Sequence, residues 1–130
     1  MAVLYGRIFR GNGAGLSRRN IGSKMLKHVE MGMLQDYYGG LLTEYQQKIV
    51  KSYYDEDKSL NELAEELGVS RQAVFDTLKR AEEKLRNYES KLGLVRKIEE
   101  ISAKIEQKMV SADTETSKLL GKILDEIKEI

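Results

Sequence analysis

From residue 34 onward the apolar positions recur three and four residues apart, the spacing of helices that each press one face onto a core. A short first helix is predicted over residues 33–42. Thr43 with Gln46 three positions on has the form of a capping box, so a second helix should open there and run to about Asp55, with Ile49, Val50, Tyr53 and Tyr54 as its apolar surface. Ser59 with Glu62 repeats the device ahead of a third helix, residues 60–67, whose Leu60, Leu63, Ala64 and Leu67 form a single stripe. Gly68 ends it. Ser70 should cap a fourth helix, with Val69 and Val74 as a hydrophobic staple and an inner face continuing through Leu78, Ala81 and Leu85.

Beyond Tyr88, the positions Leu94, Ile98, Ile101, Ile105 and Met109 lie close to a heptad seam. Small polar residues at 111–116 break the pattern, and Leu120, Ile123, Ile127 and Ile130 resume it in a last helix. Such stripes either fold back on the preceding domain or pair between chains as a homodimer through the C-terminal helices; the spacing leaves both open. Residues 1–30 differ. They mix arginines with Gly6, Gly11, Gly13, Gly15 and Gly22 and show neither a helical nor a strand period. The expected organisation is a basic, glycine-rich leader over 1–30, disordered or non-native with a start at Met25, Met31 or Met33, then a helix-turn-helix domain over 31–88 and C-terminal amphipathic helices over 89–130. The other reading of the leader is a basic arm that reaches for nucleic acid.

Composition narrows the class to all-α. The 130 residues contain no proline and no cysteine, which suits uninterrupted helices and excludes a disulfide framework and thiolate zinc sites. No apolar run approaches the roughly 20 residues of a membrane span, nor does the N-terminus look like a secretion signal. A cytoplasmic protein with no membrane partner is expected. The near-neutral net charge of +1 conceals an asymmetry. Residues 1–30 carry six Lys/Arg against one Glu, whereas residues 31–88 carry eight against eleven Asp/Glu, a net of −3.

The segment from Leu60 to Ala81 has the spacing of a helix-turn-helix. Ala64 is small where two helices cross most closely, Gly68 can adopt the positive φ that ends a helix within a short turn, and Leu63, Leu67, Val69 and Val74 close the angle between the helices. Thr77 stands where a second apolar residue is common, and Leu78 beside it is expected to take that role. Tyr53-Tyr-Asp-Glu-Asp-Lys-Ser-Leu-Asn-Glu-Leu-Ala64, followed by Gly68-Val-Ser-Arg-Gln-Ala-Val-Phe-Asp76, resembles the YlxM family of helix-turn-helix proteins, and Leu41-Leu-Thr43 with Gln46 also fits. The resemblance spans residues 33–94. It implies a fold like the DNA-binding region 4 of bacterial sigma factors, a nucleic-acid-binding regulatory role, and a link to the signal recognition particle pathway with that particle's components as partners.

On a helix that starts after Ser70, Val74 and Leu78 point inward and leave Arg71, Gln72, Phe75, Asp76, Lys79 and Arg80 outward. Arg71 can pair with guanine, Gln72 with adenine, and Phe75 can touch a thymine methyl, while Lys79 and Arg80 stand where phosphates would pass. Ser70 and the helix N-terminus offer a further phosphate contact. DNA is expected ahead of RNA. Asp76 either accepts from a cytosine amino group or pairs within the helix with Lys79 or Arg80. The alternative function is a protein-interaction module of the secretion machinery with the helix-turn-helix as scaffold. Catalysis is not expected: His28 falls in the leader, and Gly11-Asn-Gly-Ala-Gly15 lacks the lysine of a phosphate loop. No cofactor or metal is expected, since Asp55-Glu-Asp57 and Glu62, Glu65 and Glu66 lack calcium-loop spacing.

Overall fold

The computed structural model describes residues 21–130, with side chains from Met25 onward. Six α-helices and no strand occur among the described residues: α1 (Ile21–Tyr38), α2 (Glu44–Tyr54), α3 (Leu60–Leu67), α4 (Arg71–Leu92), α5 (Leu94–Ser111) and α6 (Thr114–Lys128). A 3-10 turn, Gly39–Leu41, joins α1 to α2.

The two capping boxes are present and reciprocal. The Gln46 backbone N–H donates to Thr43 Oγ1 and the Thr43 N–H to Gln46 Oε1, both at 3.1 Å. At α3 the Glu62 N–H donates to Ser59 Oγ at 3.1 Å, and the Ser59 N–H to Glu62 Oε1 at 3.4 Å. Each box satisfies two backbone donors that a helix start otherwise leaves unpaired. α3 ends as its sequence requires. Gly68 takes φ +66°, and the N–H groups of Gly68 and Val69 donate back to Glu65 and Ala64 carbonyls, the Schellman arrangement that a residue with a Cβ would strain.

The largest departure from the sequence reading is α1. Helix begins at Ile21, so residues 21–30 are structured rather than leader, and it stops at Tyr38 instead of continuing to Leu42. Residues 1–20, the remainder of the expected leader, lie outside the described residues. The cause is tertiary. α1 buries Met31, Met33, Leu34 and Tyr38, and its charged residues pair with α4: Glu30 with Arg86 at 2.9 Å and Lys27 with Glu82 at 3.3 Å. A helix held by a distant partner in this way leaves a weak local pattern.

Residues 21–92 form one compact unit in which α1, α2 and α3 all pack on α4. Its core comprises Leu34, Tyr38, Ile49, Val50, Leu63, Val74, Ala81 and Leu85, each buried. Burial of a side chain of this size contributes roughly 1.5–3 kcal/mol. Gly93, at φ +61°, marks the passage to a second unit, Gly93–Ile130, where α5 packs on α6 with Ile98 and Leu124 buried. The last helix starts earlier than the polar break suggested, because Asp113 caps it by accepting from the Thr116 N–H at 2.6 Å.

Candidate nucleic-acid interface

The helix-turn-helix consists of α3, the turn 68–70 and the first part of α4. Leu63, Val74 and Leu78 are buried between helices and Ala64 sits at their close approach, so Leu78, not Thr77, supplies the second apolar contact. The staple is one-sided: Val74 is fully buried but Val69 is 39% exposed. Ser70 starts α4 by accepting the Ala73 N–H on its hydroxyl at 3.0 Å. A serine at this position relieves one of the helix's unpaired donors.

Ser70, Arg71, Gln72, Phe75, Lys79 and Arg80 are all exposed; by helical spacing Arg71, Phe75, Lys79 and Gln72 share one side of α4, and Arg80 lies further round the solvent-facing surface. Gln72 Nε2 donates to Asp76 Oδ1 at 2.9 Å. This differs from the expected pair between Asp76 and Lys79 or Arg80, because the i, i+4 spacing from Gln72 brings the amide to the carboxylate directly. Lys79 turns elsewhere. Its Nζ stands 5.8 Å from the centre of the Phe75 ring, a cation–π arrangement, and 4.0 Å from Glu82 Oε2. The face therefore carries three cations, Arg71, Lys79 and Arg80, against the carboxylate of Asp76.

Glu62, Glu65 and Glu66 are exposed on the neighbouring α3. Lys58 donates to Glu66 at 3.1 Å, a bond that holds its ammonium above the ordinary lysine range. Asp57 adopts a left-handed φ of 54° in the turn before α3.

Beneath the face lies a polar layer that the sequence reading missed. Glu82 is 1% exposed; Tyr54 of α2 donates to its Oε1, while its Oε2 faces Lys27 of α1 at 3.3 Å and Lys79 of α4 at 4.0 Å. Burial, and then the bond to Glu82, push the Tyr54 hydroxyl well above the usual tyrosine range, so it remains a donor. His28, assigned to the leader from sequence, packs edge-on against Tyr54 and stacks near Tyr53. One turn pair further along α4, Tyr38 of α1 donates to buried Glu89 at 2.6 Å. A signal existed: Glu82 and Glu89, seven apart, fall on the stripe that also carries Val74, Leu78 and Leu85. Carboxylates rarely occupy such positions without partners.

Two helices joined by a tight, glycine-terminated turn, the second capped by serine and presenting polar side chains outward, define a helix-turn-helix protein. Residues 25–127 match the family described as "Putative helix-turn-helix protein, YlxM / p13 like", and the chain belongs to that family. Three bacterial relatives show the extent of the likeness. A UPF0122 protein of Desulforamulus reducens is 57% identical over 78 residues, which cover 60% of this chain and 67% of the relative. One from a Thermoanaerobacter species is 43% identical over 108 residues, 77% of this chain and 92% of the relative. A third, from Halalkalibacterium halodurans, is 44% identical over 102 residues, 78% and 94% of the two chains. Among the described residues, no helix is long and apolar enough to cross a membrane.

Proposed function

We propose that this chain is a non-enzymatic, cytoplasmic nucleic-acid-binding protein of the regulatory kind, acting in the signal recognition particle pathway and taking DNA rather than RNA through the exposed face of α4. One observation carries the reading: Ser70, Arg71, Gln72, Phe75, Lys79 and Arg80 are all presented to solvent on a helix whose start is fixed by a capped turn. Arg71 and Gln72, in the first turn, take the base edges; Phe75 follows one turn later against a thymine methyl; Lys79 and Arg80 meet phosphates. The acidic balance of the surrounding domain limits affinity, since binding draws mostly on phosphate neutralisation.

Titration of a short random-sequence DNA duplex across a salt series tests this. Two or three phosphate contacts predict a slope of log K against log salt of about −2 to −3. Absence of binding, or a flat slope, would remove the reading. The exposed carboxylates Glu62, Glu65 and Glu66 beside the face favour a second reading, a protein-interaction module with the helix-turn-helix as scaffold. Capture of a protein component of the signal recognition particle in the absence of nucleic acid, lost on Glu65→Lys with Glu66→Lys, is the result that reading requires.

A further inference from the structure

The buried carboxylate of Glu82 faces two cations rather than one, and the second lies on the proposed binding face. Its Oε1 accepts from Tyr54, and its Oε2 sees two ammonium groups, Lys27 at 3.3 Å and Lys79 at 4.0 Å. The two lysines are not equivalent. Lys27 is nearer and belongs to α1; Lys79 is farther, belongs to α4 and also sits over Phe75 on the outward face, the two side chains being 39% and 48% exposed.

Removing the sole partner of a buried charge is strongly destabilising. If Lys79 alone balanced Glu82, moving it to a phosphate would strand the carboxylate, and binding would bear that cost. Because Lys27 holds Glu82, Lys79 can leave. We propose that Lys27 is a positioning residue for nucleic-acid binding: by neutralising Glu82 from α1 it frees Lys79 of the recognition helix for a phosphate of the bound duplex. This rests on the reading of the α4 face given above. It assigns a functional part to α1, whose first half carries no recognisable pattern in the sequence, and it makes Glu82 the element through which α1 acts on the face.

The experiment compares salt slopes on the same random-sequence duplex for the full chain and four variants, with thermal melts confirming that each is folded. Lys79→Ala should lower the slope by about 0.9, the loss of one phosphate contact. Lys27→Met keeps the aliphatic stem and removes the charge; it should lower the slope by the same amount, because Glu82 then retains Lys79. Lys27→Arg should keep the wild-type slope. Adding Glu82→Gln to Lys27→Met keeps an acceptor for Tyr54 and removes the charge that captures Lys79, so the slope should return. An unchanged slope in Lys79→Ala would contradict the assignment of the α4 face itself. With that slope lowered, three results would overturn the inference alone: a wild-type slope in Lys27→Met, a lowered slope in Lys27→Arg, or no recovery in the Lys27→Met, Glu82→Gln double variant. The last would mean that Lys27 meets phosphate itself.

Discussion

Two glutamates on the inward side of α4 each accept from a tyrosine of another helix: Glu82 from Tyr54 of α2, Glu89 from Tyr38 of α1. At the scale of single residues these bonds tie two helices, α1 and α2, at defined points along a third, where apolar contacts alone would fix position less sharply. Removing one donor leaves a buried acceptor short of a partner, which costs about 1–3 kcal/mol. Tyr54→Phe is therefore expected to lower the free energy of unfolding in urea by that amount, whereas Tyr45→Phe, at an exposed site, should fall within about 0.5 kcal/mol of wild type. Equal, negligible effects would show that the Tyr54 hydroxyl contributes nothing. Gly68 makes a sharper residue-scale case. At φ +66° a side chain is strained by roughly 1–2 kcal/mol, and Gly68→Ala should show that loss in the same measurement. Local chemistry made Gly68 legible in the sequence, because the need for a left-handed residue is declared by the residue itself. Nothing local declares that Glu82 will meet Tyr54, 28 positions earlier.

At the scale of elements, the same contrast separates α2, α3 and α4 from α1. The starts of the first three are set by side chains three residues from the cap: Thr43 and Gln46, Ser59 and Glu62, Ser70 and the Ala73 N–H. Ser70→Ala is expected to cost about 1 kcal/mol and, by loosening the first turn of α4, to weaken binding more than its stability loss alone would; a melt and a duplex titration on the same sample check both. The sequence offers no Ser/Thr with a Glu/Gln three positions on to announce α1. The upstream half of α1 mixes Gly22, Lys24 and Lys27 with scattered apolar residues, and the helix is held by contacts with α4: the pairing of Lys27 and Glu30 and the burial of Met31, Leu34 and Tyr38. In the second unit, α5 buries Glu99, whose Oε2 has no hydrogen-bond partner among the described residues. Burial raises its pKa, Glu106 adds to the rise and Lys128 opposes it. The folded state therefore holds the proton more tightly than the unfolded chain, so this contribution to stability is complete below the ordinary glutamate value and is lost as pH rises through the elevated folded value. Glu99→Gln should flatten that part of the stability profile and leave the protein more stable than wild type at neutral pH. A profile unchanged by the substitution would contradict the burial of the carboxylate.

At the scale of the molecule, the helix-turn-helix class, its boundaries from Leu60 to the first turns of α4, and the six outward residues of the face were all readable from spacing and caps. The polar layer beneath the face and the helix that supplies Lys27 were not, because both depend on which distant surfaces meet. Charge gives the whole chain its functional character. The domain around the face is acidic, with Arg71, Lys79 and Arg80 as the exposed cations near it, so the proposed reading requires specificity to come from base contacts by Arg71 and Gln72 more than from general attraction. The central claim, that α4 reads nucleic acid, is tested most directly by affinity selection of fragmented genomic DNA and total cellular RNA with the full chain and with an Arg71→Ala, Gln72→Ala variant in parallel. The account predicts enrichment of particular DNA sequences by the wild-type protein and loss of that enrichment in the variant. Equal recovery by both proteins, with no preferred sequence, would contradict it and leave the helix-turn-helix as a scaffold for protein partners.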